Sequence, residues 1–90
     1  MEAGVHMIVK GMVQGVGFRY FVYHRASRLG LVGFVRNLLS GDVEIEAEGS
    51  RSLLEELIRE VKIGPQAAQV IDLRVQWRAA HNLFTMFEIR

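Results

Sequence analysis

No cysteine occurs in the 90 residues, so disulfides and thiolate nucleophiles are both excluded. Charge of one sign is also scarce: 11 Lys and Arg face 10 Asp and Glu, for a formal net charge of +1. No global field therefore points to nucleic acid or to an anionic membrane surface. No apolar run approaches the ~18 residues of a membrane span, and the N-terminus lacks a signal-peptide pattern. Repeats, linkers and low-complexity segments are missing, and the only proline is Pro65. What is plentiful is apolar. Half the residues are hydrophobic, enough for a packed core and too many for a disordered chain. Ninety residues leave room for one core, so residues 1–90 are expected to form a single domain.

The chain is organised around Gly11-Met12-Val13-Gln14-Gly15-Val16-Gly17-Phe18-Arg19. An apolar, strand-like segment, Val5 to Val13, precedes it, and a helix-like segment ending at Gly30 follows. A glycine-rich turn between strand and helix lets backbone N–H groups converge on an anion. Gly15 and Gly17 lack the Cβ that would restrict φ or keep a ligand from the backbone. The first helical turn adds unpaired N–H groups and the positive end of its dipole. Arg19 brings a planar fork that matches a phosphate or carboxylate edge. Spacing alone leaves a plain strand-to-helix turn equally open, because the GK[ST] ending of a nucleotide loop is absent.

In chain order, helix one is expected from about Phe18 to Gly30, with Phe18, Val22, Ala26 and Leu29 on its apolar face. Leu31 to Leu39 reads as the second strand, followed by a Ser40-Gly41 turn. Asp42-Val43-Glu44-Ile45-Glu46-Ala47-Glu48 alternates strictly, so Val43, Ile45 and Ala47 face inward and the carboxylates face water. Ser52-Leu53-Leu54-Glu55 has the form of a capping box opening helix two, whose stripe is Leu54, Leu57, Ile58 and Val61. Gly64-Pro65 ends it. Ile71, Leu73, Val75 and Trp77 predict a fourth, half-buried strand, and Phe84 to Arg90 a short last one. The fold class expected is α+β: a ferredoxin-like βαββαβ sandwich with an extra C-terminal strand, its sheet mostly antiparallel and both helices on one face.

Two separated motifs resemble the signatures of the acylphosphatase family. The first is Val9-Lys10-Gly11-Met12-Val13-Gln14-Gly15-Val16-Gly17-Phe18-Arg19. The second is Gly33-Phe34-Val35-Arg36-Asn37, followed by Gly41, Val43 and Gly49. The similarity runs over nearly the whole chain. It implies a small acylphosphatase that hydrolyses the carboxyl–phosphate bond without a cofactor or a metal. By the same resemblance Gln14, Gly15, Val16, Gly17, Phe18 and Arg19 bind the phosphate, and Arg19 and Asn37 are catalytic, Asn37 holding the attacking water. Ser40 departs from the family's usual aspartate before the glycine, a change of turn residue that leaves Asn37 in place.

Other candidates carry less. Carboxylates of the series Asp42, Glu44, Glu46, Glu48 stand ~6.6–6.8 Å apart along a strand, too far to share a small ion unaided. His6, His24 and His81 show no ligand spacing and no acidic partner. Covalent catalysis has no nucleophile, since Gly-x-Ser-x-Gly is absent and no histidine stands beside a serine. Acyl phosphates suit such a modest site, because the leaving carboxylate has a parent pKa near ~4 and needs no general acid. The expected partner is a small-molecule acyl phosphate, with no nucleic acid and no membrane, in a cytoplasmic monomer. The alternative is a non-catalytic ferredoxin-like binding or interaction module, such as a detached domain of a hydrogenase-maturation carbamoyltransferase.

Overall fold

Alternation in the first strand sets the sheet. Val5, Met7 and Val9 fall on one face and are fully buried, while His6, Ile8 and Lys10 fall on the other. The computed structural model describes residues 2–90. Its elements are β1 (Glu2–Met12), α1 (Phe18–Arg28), β2 (Val32–Asn37), β3 (Val43–Ser50), α2 (Arg51–Ile63), β4 (Gln69–Arg78) and β5 (Phe87–Ile89). The sheet order is β4-β1-β3-β2-β5. All neighbours are antiparallel except β2 and β5. Phe18, Val22 and Ala26 of α1 and Leu54, Leu57 and Val61 of α2 share one core with the β1 face and with Val35, Val43, Ile45 and Ala47. Both helices therefore cover the same side of the sheet, as the periodicities predict.

Helix α1 stops as expected at Gly30. The Gly30 N–H donates to Ser27 O and the Leu31 N–H to Ala26 O, the paired bonds of a Schellman end. Helix α2 starts elsewhere than expected. Its N-cap is Ser50, Ser52 lies inside the first turn, and neither serine caps through its side chain; the two hydroxyls meet each other at 3.1 Å. The reason is the sheet: pairing with Glu2 holds Ser50 in β3 up to the residue where the helix begins. The second strand is also shorter than Leu31–Leu39, because Leu38 turns to bond Asp42 and Gly41. The last strand is confined to Phe87–Ile89.

The open face of the sheet differs most from the expectation of solvated carboxylates. Glu48 is only 2% exposed. Its carboxylate accepts from Arg78 at 2.6 Å and from the backbone N–H groups of His81 and Asn82 at 2.7 and 3.0 Å. Glu46 also meets Arg78. Glu44 meets Arg36 and, at 2.8 Å, His6 Nε2, so His6 does have an acidic partner. Alternation fixes which face a side chain takes. It says nothing of the basic side chains on β1, β2 and β4 that neutralise β3 from both sides.

Candidate active site

Topology places three strand ends together. Strands β1 and β2 are each antiparallel to β3, and β5 is parallel to β2, so β1, β2 and β5 all run the same way. Their C-terminal ends carry the glycine loop, Asn37 and Ile89. A cleft of about 300 Å³ opens there, lined by Val13, Gly15, Gly17, Phe18, Arg19, Tyr20, Asn37 and Ile89. Of the residues expected to bind phosphate, Gly15, Gly17, Phe18 and Arg19 line it, whereas Gln14 and Val16 do not. Arg19 and Asn37, distant in sequence, face the same space.

The loop is shaped by its glycines. Gly15 and Gly17 have φ of 75° and 79°, and a Cβ at either would meet open space. Their conformation, not crowding, is what asks for glycine. Gly17 is the N-cap of α1 and makes no side-chain cap. Phe21 N–H donates to Gly17 O as the first helical bond. Among the described residues, no N–H from Gln14 to Tyr20 donates to another backbone carbonyl. These are the donors an anion would take.

Arg19 sits on the first turn of α1, exposed, where a cation opposes the helix dipole. Seven arginines make ion pairs with carboxylates among the described residues; Arg19 and Arg28 make none. Arg28 lies in the last turn, where the dipole favours it. Arg19 has no such compensation. It lines the cleft beside the glycine loop without a carboxylate partner among the described residues.

Asn37 ends β2 on the same face as buried Val35, turned toward the helices. Its Oδ1 is buried and has no hydrogen-bond partner among the described residues. A buried amide oxygen without a donor is costly, and it asks for an O–H or N–H rather than a phosphate oxygen. Beyond it, Ser40 Oγ accepts the Asp42 N–H at 3.3 Å, so the serine does serve as the turn residue.

Three lining residues lie outside the site that the sequence predicts: Val13, Tyr20 and Ile89. Tyr20 and Ile89 contribute to the lining of the cleft, and Tyr20 is 62% exposed. Its ring is held against His24 and Tyr23, with centroids 5.0 and 6.2 Å away. Its place beside Arg19 on an opening helical turn was a signal available in the sequence. Nothing local marks Ile89, which reaches the cleft only through the parallel pairing of β5 with β2.

The acylphosphatase family model matches residues 5–89. An acylphosphatase of Chlorobaculum tepidum is 49% identical over 75 residues, covering 83% of this chain and 82% of that relative. The crystal structure of acylphosphatase from Bacillus subtilis matches with a TM-score of 0.95 at 39% identity, over 100% of this chain and 99% of that one. The structure of full-length HypF holds a similar fold within 12% of its length, at 29% identity and a TM-score of 0.88. Two signatures in one cleft, a match along almost every residue and relatives of the same length agree: the chain belongs to the acylphosphatase family.

Proposed function

We propose that this cleft hydrolyses acyl phosphates to a carboxylate and inorganic phosphate by direct attack of water. The phosphoryl group sits on the N–H groups between Gly15 and Arg19, with the Arg19 fork across two of its oxygens. The acyl group lies toward Tyr20 and Ile89. Water donates one O–H to Asn37 Oδ1, which leaves a lone pair free to face phosphorus. The bond from water oxygen to phosphorus forms as the bond to the carboxylate oxygen breaks, and both water protons finish on the phosphate product. A loose transition state places charge on the equatorial oxygens, so positioning and electrostatics supply most of the rate. No general acid is needed for a leaving group of parent pKa ~4.

One observation carries this reading: Arg19 and the buried Asn37 Oδ1, neither with a partner among the described residues, belong to residues that line the same small cleft. Cofactors and metals have no part in it, because Arg19 and the loop already meet the phosphate charge. Curated relatives that are acylphosphatases favour the enzyme over a non-catalytic binding module. A cytoplasmic monomer is also proposed, on the cysteine-free sequence and on sheet edges that resist pairing. Strand β5 spans three residues, and β4 carries Asp72 and Arg74 outward.

The test is release of phosphate from benzoyl phosphate in excess EDTA. Turnover should be unchanged by the chelator, and inorganic phosphate should inhibit competitively. Loss of activity with rescue by a divalent cation would overturn the metal-free mechanism.

A further inference from the structure

Strands β1 and β2 are not neighbours; β3 lies between them. Strands two apart in a sheet stand about 9.5 Å from each other, beyond any backbone hydrogen bond. Val9 and Asn37 are fixed through their shared partner Val43, but the loop residues after Met12 pair with no strand, so the loop and the hairpin turn need another joint if they are to keep a fixed spacing. One side chain spans the gap. Gln14 Nε2 donates to Leu38 O and to Asp42 O, both at 2.8 Å, and so uses both of its protons.

The two acceptors bracket the hairpin turn. Leu38 O already accepts the Gly41 N–H at 3.1 Å, and Asp42 O the Leu38 N–H at 2.9 Å. Gln14 fills the second acceptor position of each, locking the turn immediately after Asn37. We propose that Gln14 is a positioning residue for the reaction: its amide ties the phosphate-binding loop to the β2–β3 hairpin and so sets the distance from the phosphoryl group to the water on Asn37. The inference rests on the role given to Asn37 above. A second tie to the same turn, Lys10 Nζ to Asp42 Oδ2 at 2.8 Å, comes from β1 rather than from the loop. It supports the hairpin without joining it to the loop.

A double-mutant cycle tests this, with Gln14→Met chosen because methionine keeps the length and loses the donors. Gln14→Met should lower kcat on benzoyl phosphate by about 10²-fold, the scale of an ångström's misplacement, while the phosphate inhibition constant moves less than about twofold. In an Asn37→Ala background, itself slow, Gln14→Met should add almost nothing to the kcat loss. Lys10→Met is the control; it should lower the melting temperature and leave kcat within about twofold. Normal kcat in folded Gln14→Met, or losses that multiply in the double variant, would overturn the inference alone. So would a kcat loss in Lys10→Met equal to that in Gln14→Met. Normal turnover in Asn37→Ala would remove the underlying reading, and the positioning role with it.

Discussion

Arg19 and Arg28 are the same side chain at opposite ends of one helix, and only one of them is badly placed. Arg28 suits the negative end of α1, whereas Arg19 is tolerable mainly when an anion lies between it and the N-terminal N–H groups. The fork should matter as much as the charge. Arg19→Lys keeps the cation but loses two-point contact with the equatorial oxygens. We expect it to weaken phosphate inhibition and to cut turnover by about 10²-fold or more with the melting temperature unchanged. Near-normal turnover would show that charge alone suffices. Arg19 and Asn37 stand out as candidates in the sequence because each falls in a motif of fixed spacing, and the structure brings both to one cleft. The destination of the Gln14 amide was not, since it depends on which strands stand two apart. Glu48 was misread for a similar reason: alternation sends it to the open face, and only the fold brings Arg78, His81 and Asn82 around it.

Among the elements, β4 shows how one residue can reverse a pattern. The pairing of β1 with β4 slips between Lys10 and Gly11, from Lys10 opposite Asp72 to Gly11 opposite Val70. Ile71 is the extra residue of this bulge. It is 73% exposed, while Val70 packs on the core in its place. The alternation Ile71, Leu73, Val75, Trp77 held for its last three members and failed at the first. Gly11 permits the bulge, with φ of 128° and a hypothetical Cβ 2.2 Å from Gln69 O. Gly11→Ala should therefore destabilise the protein by about 2–4 kcal/mol, read as a lower urea midpoint at unchanged m-value. A midpoint equal to wild type would mean that the strand relaxes around the methyl group. Element order and the choice of buried helix faces were readable from periodicity and from Gly30 and Gly64-Pro65. The bulge and the true start of α2 were not, because both are set by pairing with strands remote in sequence.

At the scale of the whole molecule, the open sheet face predicts how the fold responds to acid. Asp42 is held below its ordinary value of 3.8 chiefly by the Lys10 ammonium. Burial pushes Glu44 and Glu48 up from 4.5, but their partners outweigh it and the net direction is down: His6 and Arg36 for Glu44, the His81 and Asn82 N–H groups and Arg78 for Glu48. Carboxyls depressed in the fold bind protons more readily when unfolded. Their stabilisation is complete above the ordinary values and fades as pH falls through the lower, folded ones. Melting temperature should thus decline as pH drops below 4.5. Glu48→Gln should start lower at neutral pH and decline less steeply; parallel curves for the two proteins would contradict the assignment.

The sheet order has a consequence for synthesis. Strand β1 comes early in the chain yet stands inside the sheet, with β3 on one edge and β4 on the other. Every ladder bond it makes is therefore long-range, the topology associated with folding in about milliseconds to seconds rather than microseconds. On the ribosome it emerges ahead of both partners, with its apolar residues and two open edges available to other nascent chains. The risk of misassembly is concentrated in the interval before residue 78 has been made, when the strand that will anchor the finished sheet is still a template for any strand it meets.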